Sequence, residues 1–323
     1  MRVHRLWLTD FRNYQSAEVE LATEGLTVLV GGNGEGKTNL LEALGYLATL
    51  SSFRGAPTEA LVRAGCSTAV VRADAARAGR SLRVEAEIAV SGRSRFLVNS
   101  QPLRRAADLL GALRVSLFSP DDLELVKGGP AGRRQWLDDA LVALLPRNGA
   151  VRADLERILR QRNALLKQAK GRLDAATEAT LDVWDAKLAT TGEELSQGRA
   201  DLVARLEGPV GKAYDQVSGT AADVGMAYER SWSGQLAPAL AAARADDVRR
   251  AVTTTGPHRD ELRLTLAGLP ARTHASQGEQ RSLAFALRLA AHEVVIEATG
   301  TPPVLLLDDV FSELDPERSA ALV

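Results

Sequence analysis

The run Gly31-Gly32-Asn33-Gly34-Glu35-Gly36-Lys37-Thr38 joins conformationally free glycines to one ammonium and one hydroxyl within a single turn's reach. Gly31, Gly34 and Gly36 let the backbone curl with its N–H groups inward, Lys37 supplies a point charge, and Thr38 offers an oxygen to a hard cation. Such a set holds a phosphate chain, with Gly32, Asn33, Glu35 and Asn39 as the remaining candidate contacts. A second set lies near the far end, where the apolar run Val304-Leu305-Leu306-Leu307 delivers Asp308 and Asp309. Asp308 suits a Mg²⁺ shell shared with Thr38, and Asp309 suits alignment of a water attacking a γ-phosphate. Two acids after a buried strand are by themselves an ordinary loop; the earlier Gly36-Lys37-Thr38 is what gives them a role. Between the sets, Ser276-Gln277-Gly278-Glu279-Gln280 precedes a helix-like stretch from Arg281 to Ala291. Alone it is a cap and a turn, but in this order Ser276, Gly278 and Glu279 become candidate anion contacts at a helix start. The expected ligands are ATP and Mg²⁺, with Lys37, Asp309 and Ser276 as the catalytic candidates.

These groups need a strand, a turn and a helix to carry them. Residues 26–30 read as a buried strand and Asn39-Leu40-Leu41-Glu42-Ala43-Leu44 as a helix start, the setting a phosphate loop requires. Residues 2–10 read as a further strand, with Val19-Glu20-Leu21 a short third. Short apolar or alternating runs over 68–75, 82–90 and 94–98, separated by turn residues, predict a β-meander. From Pro120 to Glu207 the pattern turns helical, and Gly171, Gly192 and Gly198 argue for a compact bundle or short hairpin instead of a long rod. Strands over 223–229 and 262–266 flank a helix around 234–250. The expected class is α/β, a P-loop head with an antiparallel β subdomain plus a compact helical arm. Residues 1–119 and 221–323 form the two parts of the head in this reading, and 120–220 the arm.

Composition narrows the function classes. The 323 residues hold 45% hydrophobic side chains, enough for a substantial core, and 40 Lys or Arg against 41 Asp or Glu give a net charge of −1. That balance does not announce a nucleic-acid binder, although a locally basic face is compatible with it. Cys66 is the single cysteine, which excludes an intramolecular disulfide and a cysteine-rich zinc site and suits a reducing cytoplasm. The start lacks a secretory core, and no run reaches the length of a membrane helix. The four histidines fall in no metal-binding pattern, and no internal repeat is evident.

The arginines stay open to two readings. Arg12 is a surface residue or a phosphate contact from beside a strand edge. Arg72, Arg77, Arg80, Arg83, Arg93, Arg95, Arg104 and Arg105 suit phosphate contact and equally a solvated face. Arg54, Arg72 and Arg104 are the candidates for DNA. Around Arg133-Arg134-Gln135-Trp136-Leu137-Asp138-Asp139, packing on Trp136 is the leading reading, with a nucleic-acid or regulatory surface as the alternative.

Taken together, Gly31 to Thr38, Ser276 to Gln280, Leu305 to Asp309 and Ser312-Glu313-Leu314-Asp315 resemble the SMC-like ABC-type ATPases. Within that group, Asp10-Phe11-Arg12-Asn13-Tyr14, Ser52-Phe53-Arg54, Phe118-Ser119-Pro120-Asp121-Asp122 through Gly128, and Gly256-Pro257-His258-Arg259-Asp260 resemble the RecF family of DNA-repair proteins. The resemblance spans essentially the whole chain. It implies a head that pairs head to tail with a second copy and traps ATP between them, Ser276 to Gln280 reaching the other copy's nucleotide and Ser312 to Asp315 adding to the seam. It further implies DNA near single-strand gaps as a target, action with RecR and RecO in loading RecA, and a cytoplasmic, nucleoid-associated site of work. Aspartate at 309, where many ABC-type relatives place glutamate, implies slow turnover. The chain stops shortly after Asp315-Pro316-Glu317, where such folds continue through a helix and a terminal strand, so the resemblance predicts a truncated sequence with an exposed sheet edge. A nucleotide-gated protein-interaction module without DNA contact is the competing class, and a transport ATPase subunit a more distant one.

Overall fold

The computed structural model describes residues 1–22 and 24–309. The chain divides into two compact units, one comprising 1–122, 143–146 and the chain from 288 onward, the other 123–142 and 147–287.

The first unit is built on a six-stranded antiparallel sheet. Strands β1 (Arg2–Phe11), β2 (Tyr14–Glu20), β3 (Thr68–Arg77), β4 (Arg80–Ala89), β5 (Arg95–Val98) and β6 (Gln101–Pro102) lie in the order β2-β1-β3-β4-β5-β6. Helix α1 (Lys37–Thr49) falls between β2 and β3 in sequence. Period-two alternation decides which face is buried: Ala69, Val71, Ala73 and Ala75 of β3 and Val84, Ala86 and Ile88 of β4 turn inward. They join Leu6, Leu8 and Phe11 of β1 and Ala43, Leu44 and Leu47 of α1 in one core. Each large side chain sealed there contributes about 1.5–3 kcal/mol. The meander expected over 68–98 is present as β3 to β5. Two of its arginines form cross-strand pairs: Arg72 stands opposite Glu85 and bonds it at 2.6 Å, and Arg83 stands opposite Asp74 with bonds of 2.6 and 2.7 Å.

The strand expected over 26–30 takes another form. These residues run without a ladder partner among the described residues, and Leu26, Val28 and Val30 are 57%, 68% and 91% exposed. An apolar run becomes a strand only where a neighbour completes its hydrogen bonds. Here the segment is tied by the Thr27 hydroxyl, which accepts from the Ala22 N–H at 2.9 Å, and by Leu29 packed on the core. Strand β7 (Val115–Phe118) closes this part of the unit.

The second unit is mostly helical. It holds α2 (Glu124–Lys127), α3 (Pro130–Leu144) up to Val142, α4 (Asn148–Gln168), α5 (Ala175–Ser218) and α6 (Leu236–Arg250), with an antiparallel sheet of β8 (Val224–Glu229), β9 (Glu261–Leu266) and β10 (Leu269–Pro270) and the short α7 (Ala271–His274). Asp174 caps α5 by accepting from the Thr177 N–H at 2.7 Å. Helix α5 runs 44 residues, roughly 66 Å at the usual rise, so Gly192 and Gly198 do not interrupt it. Gly192 serves packing: a Cβ there would stand 2.6 Å from Leu236 Cδ2 and 3.1 Å from Pro257 Cδ. Glycine lets α6 and the 256–257 turn close on α5, and packing outweighs its low helix propensity.

The charged segments of this unit find one another inside it. Arg199 bonds both oxygens of Asp138 at 2.7 and 2.8 Å, and Arg133 bonds both of Glu261 at 2.9 and 3.0 Å. Asp260, fully buried, accepts from Ser196 Oγ at 2.7 Å, from the Ser231 N–H at 2.8 Å and from the Tyr228 hydroxyl, while its carbonyl accepts from Arg134 at 2.7 Å. With Trp136 at 3% exposure, the 133–139 segment is a packing element. Helix α8 (Gln277–Thr299) begins in this unit, and from Arg288 the chain belongs again to the first. Strand β11 (Val304–Leu307) then pairs in parallel with β7, Leu307 beside Phe118.

Candidate nucleotide site

The parallel pair β7–β11 sets the site's position, because the C-terminal ends of parallel strands are where a backbone leaves polar groups facing out of the sheet. Asp308 follows β11 directly, and its N–H is bonded to Phe118 O at 2.9 Å. Its Oδ1 accepts from Thr38 Oγ1, the second residue of α1, at 2.9 Å. The two residues expected to share a cation are thus in contact across 270 positions of sequence. Burial pushes the Asp308 carboxyl above its usual range, the Thr38 hydroxyl opposes this, and neighbouring Asp309 pushes it further. A partly dehydrated carboxylate of this kind gains from a cation and competes with protons for it. Among the described residues no cluster of three or more His, Cys, Asp or Glu could hold a metal alone. One hydroxyl and one carboxylate fit Mg²⁺, which takes few protein ligands when phosphate oxygens and water supply the rest. Asp309 is exposed and carries a positive φ of 48°.

The candidate phosphate loop is shaped from both ends. Gly36 has φ 105°, and a Cβ on it would stand 2.7 Å from the Asn13 amide and 2.9 Å from the Tyr14 ring, so only glycine fits. Helix α1 starts at the next residue, and its first turn carries no acid to compete for its N–H groups. Lys37 Nζ donates to Gly31 O and Gly32 O at 2.8 and 2.9 Å. Asn13 Nδ2 donates to Glu35 O at 3.0 Å, Asn39 Nδ2 to Asn13 Oδ1 at 2.8 Å, and Arg54 Nη1 to Asn39 Oδ1 at 3.3 Å. Asn33 and Gly34 form the turn between Gly32 and Glu35. Arg54 is therefore brought to the loop and Arg72 is not, since it pairs with Glu85. Arg104 is exposed, and its carbonyl accepts from Arg93.

Arg12, considered from sequence as a surface residue or a phosphate contact, is held within the first unit by Glu42 and Ala60. It adopts φ 54° at the β1–β2 turn and is clamped by Glu42, Nε and Nη2 each 2.7 Å from a carboxylate oxygen, while Nη1 donates to Ala60 O at 2.9 Å. Glu42 is fully buried and also accepts from Ser52 Oγ at 2.5 Å. Ser52 Oγ in turn accepts from the Arg54 N–H at 3.1 Å. An inner layer of the buried Glu42 and Ser52 with the partly buried Arg12 thus holds the outer layer of Asn13, Asn39 and Arg54 that touches the loop. Glu42, Ser52 and Asn13 were missed as site residues; the available signal was an acid inside the apolar run Leu40-Leu41-Glu42-Ala43-Leu44. Removing it has a measurable cost. Glu42→Ala strands a partly buried guanidinium in a disfavoured backbone conformation, and should lower the unfolding free energy of the first unit by about 3 kcal/mol. A double-mutant cycle with Arg12→Ala, read by urea unfolding, should return a coupling of about 1–3 kcal/mol. Additive losses would mean that the pair is not a unit.

Ser276, Gly278 and Glu279 belong to the second unit. Ser276 N–H donates to Glu279 Oε2 at 2.7 Å and Glu279 N–H to Ser276 Oγ at 3.3 Å, a capping box that starts α8. The Ser276 N–H draws the Glu279 carboxyl below its usual range. Ser276, Gln277 and Gly278 are exposed, whereas Gln280 is 4% exposed and bonds Ala271 O and Arg272 O at 3.1 Å. The cap half of the sequence reading is present. The Ser312 to Asp315 segment lies outside the described residues.

The candidate loop at α1, the Thr38–Asp308 pair and the capped helix start at Ser276 lie in a chain that known proteins match along its length. Residues 2–323 match the RecF/RecN/SMC N-terminal domain. The DNA replication and repair protein RecF of Frankia alni is 47% identical over 340 residues, covering all of this chain and 89% of that protein. Its counterpart from Kineococcus radiotolerans is 46% identical, again over the whole chain and 89% of the relative. The chain belongs to the RecF family. A solved RecF–ATP structure from the RecFOR pathway superposes with a TM-score of 0.91 at 29% identity, over 99% of this chain and 88% of that one. The RecF fold is an ABC-type ATPase head with a helical arm, as the sequence predicted, and the family is one of ABC/SMC-type ATPases.

Proposed function

We propose that this RecF-family chain is a slow, Mg²⁺-dependent ATPase whose nucleotide-bound form closes two copies head to tail on DNA. The observation that carries this is the contact between Thr38 and Asp308 beside the Lys37 loop, which supplies a cation position and a phosphate position in one unit. Mg²⁺, when bound, offsets phosphate charge. Lys37 holds the phosphate chain with the loop N–H groups, Thr38 and Asp308 hold the cation, and Asp309 orients the attacking water. Ser276, Gly278 and Glu279 present their helix start to the nucleotide of the second copy, so that hydrolysis removes part of the shared attachment and the pair reopens. Arg54, already bonded to Asn39, senses the loop as well as standing among the DNA candidates with Arg72 and Arg104.

The target in this reading is duplex DNA next to a single-strand gap, in the cytoplasm and nucleoid. RecR and RecO are the proposed partners, and loading of RecA the proposed outcome, in line with relatives named as DNA replication and repair proteins. Contacts made by arginines to phosphates carry no base preference, so affinity should depend on salt and DNA geometry more than on sequence. Titrating gapped duplex at several salt concentrations tests this. An ATP-selective affinity whose logarithm falls linearly with log salt is expected. Indifference to DNA at low salt with nucleotide binding intact would leave an interaction module in its place.

A further inference from the structure

We propose that the negative charge of Glu35 limits how tightly the phosphate loop holds a nucleotide and makes that grip depend on a divalent cation. The inference rests on the nucleotide reading above. Glu35 is the only acid among loop residues 31–38. It is fixed at three points: its N–H donates to Gly32 O at 3.4 Å, its Oε2 accepts from the Gly32 N–H at 2.9 Å, and its carbonyl accepts from Asn13 at 3.0 Å. A Cβ on Gly31 would collide with Oε2, and one on Gly32 would stand 3.2 Å from Oε1. The carboxylate therefore lies against the two glycines whose carbonyls receive the Lys37 ammonium. The loop carries its one base and its one acid on the same pair of residues.

A phosphate chain approaching this loop is attracted by Lys37 and repelled by Glu35. Both side chains are partly solvated, so each interaction is damped but scales with ligand charge. ATP is opposed more than ADP, and a cation on the phosphates relieves the opposition. A residue serving only loop shape would behave differently, because glutamine can still accept from the Gly32 N–H. Aspartate keeps the charge but is one methylene too short to reach that N–H.

The test is equilibrium titration of the full chain with a fluorescent ATP analogue and its ADP counterpart, with and without Mg²⁺, and thermal unfolding to confirm the fold of each variant. Glu35→Gln should bind the ATP analogue about five- to tenfold more tightly, the ADP analogue with a smaller gain, and both with a shallower Mg²⁺ dependence. Glu35→Asp should stay within about twofold of the native chain, since the charge remains. Unchanged or weaker binding by Glu35→Gln, with the native chain binding normally, would overturn the inference alone. Failure of the native chain to bind either nucleotide would overturn the nucleotide reading and this inference with it.

Discussion

Replacing Lys37 with methionine should weaken ATP binding by at least about 30-fold, the equivalent of about 2 kcal/mol, while leaving the fold intact. The ammonium sits in an exposed loop and bonds only the Gly31 and Gly32 carbonyls among described partners, so its loss exposes no buried group. What it removes is the single formal cation placed on the loop's own backbone, and methionine keeps much of the stem. Asp309→Asn is the complement. It lies at the exposed end of the site, where a lost charge should prolong the closed pair by slowing hydrolysis while ATP affinity changes little. Nucleotide titration of both variants separates the roles, and an equal loss of affinity in the two would reject the division of labour between Lys37 and Asp309.

The second large effect is on stability and concerns the other unit. Arg162 is fully buried, with Nε 2.6 Å from Asp185 and Nη1 2.6 Å from Asp247, itself fully buried. Nη1 also donates to Thr253 Oγ1 at 2.9 Å, and Asp247 Oδ1 accepts from the Thr254 N–H and hydroxyl at 2.8 and 2.6 Å. The cluster joins α4, α5 and α6 to the 251–256 turn. Arg162→Met leaves the buried Asp247 carboxylate without its counter-charge, while Asp185 keeps Arg244 at 2.6 Å, and should cost about 3–5 kcal/mol. Asp247→Asn keeps the shape and the bonds to Thr254 and should cost less. Three of the four tryptophans, Trp136, Trp184 and Trp232, lie in this unit and Trp7 in the first, so tryptophan fluorescence during urea unfolding reports it selectively once every chain compared carries Trp7→Phe. A loss below about 1 kcal/mol for Arg162→Met would mean that water reaches the cluster.

These two sites differ in how far sequence could foresee them. The meeting of Thr38 and Asp308 beside Lys37 was legible because phosphate chemistry demands particular residue types at fixed offsets from strand and helix, and local order carries that signal. The clamp of Arg12 by Glu42 was not, because nothing local links a turn residue to a helix acid 30 positions on. Only the fold brings them together, and an isolated arginine beside a phosphate loop reads equally well as a ligand contact. Gly192 misled in the opposite sense. Its low helix propensity argued for a break in α5, but the deciding term was the room it leaves for Leu236 and Pro257. Residues 26–30 have the composition of a strand and lack a ladder partner among the described residues, which is a property of neighbours and not of the run itself. The arginines of β3 and β4 read equally as a phosphate-binding or a solvated face, and register places Glu85 and Asp74 across from Arg72 and Arg83. Charge counted along a chain says little about charge left over once strands pair.

In the proposed cycle ATP, held by the Lys37 loop and the Thr38–Asp308 pair, draws two copies of the chain together. Sedimentation velocity of the purified chain with Mg-ATP, Mg-ADP or no nucleotide tests it most directly, with Lys37→Met as the control. A dimer is expected with Mg-ATP alone, and none from the Lys37→Met variant. A sedimentation coefficient that is the same in all three conditions, in a chain shown to bind ATP, would contradict it.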